Sequence, residues 1–259
     1  MFFDNDGRCL SSLSDKPSYA KSRYYFNLDE QLKKNINLEK IYSNFENNFN
    51  ISNVLKFSQF EEEIIKIKNK IKNNTETKNL LNNFSFPFYI PKLSIKDLGS
   101  NLENFFFPKL EKSYKLMFPE FEFTNHCKES IEKKIKFIEN SNYEKFLNKL
   151  DSNKGIVGLI FPCLNEFSFP ATQDIINKLP ENFNLSGGYE ITSALIGQPN
   201  ILMRKEKYPP LLWFSSLINN VDSNIGYHIE PYGYNLTFNQ RAHLDQAAEY
   251  WWHSISVTL

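Results

Sequence analysis

Hydrophobic positions in the first half of the chain repeat at helical spacing. The segment FSQFEEEIIKIKNKI carries an apolar residue every three or four positions, as one face of a helix requires. This stripe consists of Phe57, Phe60, Ile64, Ile67 and Ile71. Ser58 and Glu61 have the spacing of a capping box, so the pattern predicts that the helix begins near residue 57.

Two further helices are predicted in the same half. In CKESIEKKIKFIENS, Ile131, Ile135 and Ile138 share one helical face. The next helix is predicted to begin at Ser141, with Glu144 three residues later, and to bury Phe146, Leu147 and Leu150. Between the first two helices, NNFSFPFYIPKLSI has aromatic residues interrupted by two prolines, which favours an extended segment.

Short apolar runs alternate with helical patterns after residue 154. GIVGLIF at 155–161 is typical of a buried strand, and a helix is predicted from Pro170. The turn SGG leads into a second helix that ends near Gly197. YPPLLWFSSL and GYHIEPYGYNLTFN are predicted as strands, the latter because bulky residues occupy alternate positions.

The segment 239–255 is predicted to form a closing helix. Leu244, Ala248, Trp251 and Ile255 follow at spacings of four, three and four, and Asn239 is a suitable N-cap. This helix is expected to be mainly structural, with its apolar stripe facing the core.

Together these elements predict an α+β fold, with a helical N-terminal part (1–154) packed on a mixed-sheet α/β C-terminal part (155–259). Charge also changes between the parts: residues 1–154 carry 25 basic and 21 acidic residues, and residues 155–259 carry 5 and 9. We expect one cooperative unit, because the apolar strands of the second part need the helices as cover.

Composition limits the classes of protein to which the chain could belong. The formal net charge is zero, which argues against a nucleic-acid-binding protein. Three cysteines without paired spacing, no recognisable signal peptide and no long apolar run favour a cytoplasmic protein that does not enter a membrane. Abundant Asn, Lys, Ile and Phe indicate an AT-rich genome, so the Asn runs carry no functional meaning. The oligomeric state is not predicted.

A catalytic group is predicted near the end of the strand at 155–161. Cys163 and Glu166 follow that strand, and ligands commonly bind at strand ends of open sheets. His228 or His253 could serve as the base that activates the cysteine. The alternative is that Cys163 is an ordinary small core residue.

A metal site is predicted on the closing helix. Asp245, Glu249 and His253 repeat every four residues, which would stack them on one helical face. Carboxylates and histidine are the usual ligands of zinc and iron. The alternative is the solvated face of an amphipathic helix, so no cofactor is assigned.

Tyr232, Tyr234 and Trp252 are candidate ligand-binding residues that could line an aromatic pocket. The turn SGGYE could present backbone N–H groups to a phosphate, but it lacks a complete phosphate-binding motif and is interpreted as a glycine turn before a helix.

Two function classes therefore remain open. One is a small-molecule enzyme with an aromatic-lined pocket in the C-terminal part. The other is a non-catalytic protein-interaction, assembly or regulatory factor that uses the same aromatic residues to bind a protein partner. No motif in the chain identifies a family.

Overall fold

The computed structural model describes residues 1–18, 36–139, 142–152, 155–203 and 209–259. It has the predicted α+β architecture, in which helices cover a mixed sheet of nine strands within the described residues. The helices are α1 (Leu38–Phe49), α2 (Phe57–Lys72), α3 (Leu98–Asn101, continued by a π-helical turn at Leu102–Phe106 and by Phe107–Met117), α4 (Tyr143–Ser152), α5 (Phe169–Ile176) and α6 (Gly188–Gly197).

The strands of the sheet come from both parts of the chain. They are β1 (Phe86–Pro91), β2 (Phe123–Asn125), β3 (Ile135–Phe137), β4 (Gly155–Asn165), β5 (Phe183–Leu185), β6 (Leu211–Asn219), β7 (Gly226–Tyr232), β8 (Asn235–Arg241) and β9 (Trp251–Val257). Their order is β1-β4-β9-β6-β7-β8-β2, with β5 paired to β9 and β3 paired to β6. Only the β6–β9 and β2–β8 pairs are parallel.

β9 replaces the predicted closing helix, and that prediction was wrong. All seven residues of β9 are buried, and the strand pairs with β4 on one edge and with β6 and β5 on the other. Asn239, the predicted N-cap, lies inside β8. Residues 242–250 form turns and irregular structure, with His243 in the left-handed region at φ 66°.

The predicted helix at 127–141 is also incorrect over its described residues. The segment forms turns around Lys133, which has φ 57°, followed by β3. The Glu103 side chain accepts hydrogen bonds from Ser130 Oγ and from the backbone N–H of Ile131, and these bonds fix the turn against α3. Ile131 and Ile135 are nevertheless buried, as the apolar pattern predicted.

Other elements differ from the sequence predictions in detail. α2 buries Phe60, Ile64, Ile67 and Ile71 as predicted, but its N-cap is Lys56, whose backbone N–H donates to Gln59 Oε1. Ser58 therefore does not cap this helix. The single strand predicted at 226–239 is a hairpin, because Gly233 at φ 63° turns the chain between β7 and β8.

One large core joins the two parts of the chain. It includes Phe45 of α1, Phe88 of β1, Ile160 of β4 and Leu195 of α6. α6 is buried along its whole length, and Ser193 Oγ both donates to the carbonyl and accepts from the backbone N–H of Tyr89. A smaller core around Trp213, Trp251 and Phe169 lies elsewhere on the sheet. Within the described ranges, no helix combines the length and the hydropathy needed to cross a membrane.

Candidate active site

The predicted nucleophile Cys163 lies inside the core rather than in an open cleft. It is fully buried in β4, and its Sγ is 4.0 Å from the Sγ of Cys9, which is also buried. The backbone N–H of Cys9 donates to the Cys163 carbonyl at 2.9 Å. Burial, reinforced by Cys163, raises the pKa of the Cys9 thiol well above its usual value, so Cys9 stays protonated. All three cysteines are free thiols.

Glu166 anchors the N-terminal segment to the sheet. Its side chain is fully buried, its backbone has φ 70°, and its Oε2 is 2.5 Å from Arg8 Nη2. The same guanidinium nitrogen donates to the Asn165 carbonyl at 2.9 Å. A buried carboxylate requires such a partner because removing a charge from water is costly. The arrangement therefore explains Glu166 as a structural group.

His228 is separated from Cys163 and Glu166 by two strands. It lies in β7 opposite Trp213 of β6, and β9 lies between β6 and β4. Its Nε2 is 3.4 Å from Glu230 Oε1. Burial lowers the pKa of His228, and the neighbouring Glu230 offsets only part of that effect. The three predicted catalytic residues thus do not form one site.

The three candidate metal ligands differ in solvent exposure and lie in different segments of the chain. Asp245 and Glu249 are exposed in the irregular segment before β9, whereas His253 is fully buried in β9. His253 Nε2 donates to the Phe167 carbonyl at 2.9 Å, and Nδ1 is 2.9 Å from Ser215 Oγ. In the part of the chain that is described, no three His, Cys, Asp or Glu side chains are grouped to hold a metal ion. The helical spacing behind the metal prediction does not exist.

The three candidate aromatic residues lie in two different environments. Tyr232 and Tyr234 are 73% and 43% exposed at the end of the β7–β8 hairpin, where Tyr234 packs on Phe121. Trp252 is buried in the large core. They do not line a common pocket.

The residues that do come together are Glu190 and Tyr143, neither of which the sequence singled out. Glu190 lies in the first turn of α6 and Tyr143 begins α4; both side chains are buried. The Tyr143 hydroxyl donates to Glu190 Oε2 at 2.8 Å. Glu190 Oε1 accepts from the Gly187 backbone N–H at 3.1 Å and from Ser256 Oγ at 3.2 Å. Both carboxyl oxygens therefore have hydrogen-bond donors.

Gly187 makes this close approach possible. A methyl group at its Cα would lie 2.0 Å from the Tyr143 hydroxyl and 2.6 Å from Ser216 Oγ, distances that no side chain can occupy. The glycine turn SGG is thus explained by packing around the Tyr143 hydroxyl, and Ser216 of β6 completes the surroundings of that group.

A small cavity of mixed polar and apolar lining adjoins Tyr143. The centre of a water molecule can move within about 10 Å³ of this cavity, so the cavity has room for one water or one polar group. Tyr143, Ser216, Ile176 and Leu185 line the cavity together with four residues that carry side-chain amides. The amides belong to Asn142, Gln173, Asn177 and Asn184.

The electrostatics of this site favour proton exchange near neutral pH. Burial raises the pKa of Glu190 to about 7, against the opposing effect of its hydrogen bonds from Gly187, Tyr143 and Ser256. Burial, followed by the nearby Glu190 carboxyl, raises the pKa of Tyr143 well above its ordinary value. Tyr143 therefore stays a hydrogen-bond donor while Glu190 can gain or lose a proton. A buried carboxyl that titrates near 7 is suited to general acid–base chemistry.

Comparison with known proteins adds no relative: no protein-family model, no curated protein and no solved structure matches the chain. The one sequence feature that marks this site is Glu190 itself, a carboxylate in the otherwise apolar stretch GYEITSALIG. A charged residue within such a buried helix requires a partner, and that partner is Tyr143.

Proposed function

We propose that the protein is a small-molecule enzyme that uses Tyr143 and Glu190 for proton transfer. The observation that carries this proposal is the 2.8 Å hydrogen bond from Tyr143 to a buried carboxyl whose pKa is about 7, beside a small cavity. The pocket contains amide, hydroxyl and aliphatic residues but none of Tyr232, Tyr234 and Trp252, and most of its residues come from the C-terminal part.

The cavity suits a single oxygen of a substrate, such as a carbonyl or hydroxyl oxygen. When Glu190 is protonated, its O–H can donate to the Tyr143 oxygen, which frees the Tyr143 hydroxyl hydrogen for the substrate oxygen. Tyr143 would then transfer this proton as the substrate oxygen gains negative charge. Protonated Glu190 would return a proton to the Tyr143 oxygen at the same time, so that no buried tyrosinate accumulates. The amides around the cavity would orient the substrate.

The test is a search for turnover in a metabolite mixture by mass spectrometry, comparing the wild-type protein with Tyr143→Phe and Tyr232→Phe. Tyr232→Phe removes an exposed hydroxyl and is the matched control. We expect wild type and Tyr232→Phe to consume the same metabolite, and Tyr143→Phe to be at least ~100-fold slower, the typical contribution of an acid–base group. Turnover that Tyr143→Phe leaves intact, or no turnover at all by folded wild type, would refute the proposal.

A non-catalytic interaction protein is the second candidate. Exposure of Tyr232 and Tyr234 at one hairpin end supports it, because aromatic residues are enriched in protein interfaces. In that case, replacing both tyrosines with serine would abolish co-purification of a specific partner, whereas Tyr143→Phe would not affect it.

We also propose a cytoplasmic location and no nucleic-acid ligand. Three free thiols and a formal charge of zero support these two statements. Thiol titration of the denatured protein isolated from its cells is expected to find three thiols; one thiol would indicate a disulfide and argue against the cytoplasm.

A further inference from the structure

A groove rich in lysine opens beside the cavity at Tyr143. It has a volume of about 320 Å³ and shares Asn142 and Asn184 with that cavity. Lys70 near the end of α2 and Lys145 and Lys149 of α4 line it. Lys145 and Lys149 are four residues apart, so they lie on the same face of their helix.

Positive charge predominates among the side chains that line the groove. Glu181 is the acidic side chain among them; its Oε1 is 3.6 Å from Lys145 Nζ, and it is 87% exposed. Such an exposed pair is weak because water screens it. Lys149 Nζ donates to the Leu259 carbonyl at 3.2 Å, which holds its ammonium group at the groove.

Two side-chain amides in the groove have unmet hydrogen-bonding capacity. Asn184 is only 5% exposed, and its buried Oδ1 has no hydrogen-bond partner among the described residues; the same holds for the buried Nδ2 of Asn182. Since the oxygen and nitrogen of an amide can exchange places by a flip, both groups can present N–H donors to a ligand. Buried polar groups are normally satisfied, so these two amides require a polar partner, which water or a ligand in the groove can supply.

We infer that this groove binds the phosphate group of a small-molecule substrate whose reactive oxygen reaches Tyr143. The part of this inference that concerns the substrate's reactive oxygen rests on the proposed function. The evidence for phosphate binding comes from the groove alone. Lysine ammonium groups bind phosphate as point charges, and amide N–H groups supply the additional donors that its oxygens accept. Asn142 and Asn184 line both the groove and the cavity, so the two spaces adjoin.

The test is calorimetric titration of inorganic phosphate into the full-length protein, with acetate as the carboxylate comparison. We expect saturable phosphate binding that Lys145→Gln/Lys149→Gln weakens at least about tenfold, because two charge-assisted contacts are lost. Glu181→Gln is expected to tighten binding, since it removes the one acidic side chain lining the groove. Lys115→Gln/Lys128→Gln makes the same change of charge at exposed positions outside the groove and should leave binding unchanged.

Phosphate binding that is absent, or that both double variants weaken equally, would overturn the inference. Acetate binding as tight as phosphate would overturn the phosphate assignment in favour of a carboxylate. Tyr143→Phe separates the two proposals: it should leave phosphate affinity intact while abolishing turnover. Phosphate binding without any turnover would therefore refute the proposed function and leave the groove as a phosphate site.

Discussion

Glu190 and His253 are buried side chains whose pKa values are shifted in opposite directions. Burial raises the pKa of Glu190 from 4.5 to about 7. Burial lowers the pKa of His253 from 6.5 to about 3, and the hydrogen bond to the Phe167 carbonyl offsets only part of that shift. Both side chains are therefore held neutral in the fold over the same range of mildly acidic pH.

These shifts predict a pH dependence of stability that one substitution should reveal. The contribution of Glu190 is complete below pH 4.5 and is lost as the pH rises towards 7, because the unfolded chain releases that proton first. The contribution of His253 is present above pH 6.5 and is lost as the pH falls towards 3. Between pH 4.5 and 6.5 the two slopes oppose each other.

In Glu190→Gln, the contribution of His253 to the unfolding free energy should vary with pH without the opposing contribution of Glu190. The difference in unfolding free energy, variant minus wild type, is expected to rise by up to ~3 kcal/mol between pH 4.5 and pH 7. Urea unfolding at both pH values measures this difference, and Glu120→Gln, at an exposed position, is the control. A wild-type-minus-variant difference that does not vary with pH would show that Glu190 ionises normally.

The Arg8–Glu166 pair carries a second residue-scale prediction. Arg8→Ala leaves the Glu166 carboxylate buried without its guanidinium partner, so we expect a loss of ~3–5 kcal/mol of unfolding free energy. The double variant Arg8→Ala/Glu166→Gln should recover part of that loss because the buried charge is gone. Denaturant unfolding measures both; equal stabilities of the single and double variants would contradict a buried charge pair.

At the scale of elements, the sequence predicted α2, α4, α5, α6, β4 and β6, made no prediction for α1 and α3, and assigned β3 and β9 to helices. Ala247, Ala248 and Glu249 favour a helix, and the spacing of Trp251 and Ile255 fits one. The segment WWHSISV also alternates bulky and small residues, with aromatic and β-branched types typical of a strand. Pairing with strands on both edges decided between these patterns, and such long-range contacts are not visible in a local window.

The same limit explains why the candidate site was missed. Glu190 and Tyr143 are 47 residues apart, and each has an ordinary local role, one in the first turn of a helix and one at a helix start. The apolar run predicted that Cys163 and Glu166 both follow the strand, but β4 continues to Asn165 and contains Cys163. Local spacing could not reveal that Cys9 and Arg8 cover them, because the N-terminal segment packs there only in the folded protein.

The strand assignment changes what substitutions in this segment should do. Trp251 is 4% exposed in the smaller core, so Trp251→Ala should cost ~3–5 kcal/mol. On the solvated face of a helix His253 would matter much less, but in β9 its ring is buried, bonded at both nitrogens and stacked against Trp213. We therefore expect His253→Ala to lower the melting temperature by an amount comparable to that for Trp251→Ala.

Thermal melts of both variants, with Glu249→Ala as the exposed control, provide the measurement. If His253→Ala melts like Glu249→Ala, the buried position of the imidazole in β9 is incorrect.

At the scale of the whole molecule, the two parts of the chain share one sheet. β1, β2 and β3 come from residues 1–154 and pair with β4, β8 and β6 of the second part. The large core also draws on both parts. The change in charge near residue 154 therefore coincides with a change from mostly helix to mostly strand within the same sheet and core.

This shared sheet predicts that residues 155–259 do not fold alone. The fragment would lose three strands and the helices that cover its apolar faces, leaving unpaired edges and exposed core. Circular dichroism and sedimentation of the isolated fragment should show an unfolded or aggregated chain. A soluble fragment with a cooperative melt would instead establish an independent domain.

The position of β9 has a consequence for synthesis on the ribosome. β9 follows the other eight described strands in the sequence. It nevertheless joins the pair formed by β1 and β4 to the group formed by β6, β7 and β8. Until residues 251–257 have left the exit tunnel, β4 lacks its partner along Leu159–Asn165 and β6 lacks its partner at Leu211 and Leu212. A nascent chain that pauses before Trp251 would carry two apolar half-sheets with open edges, the state most prone to aggregation and most in need of a chaperone.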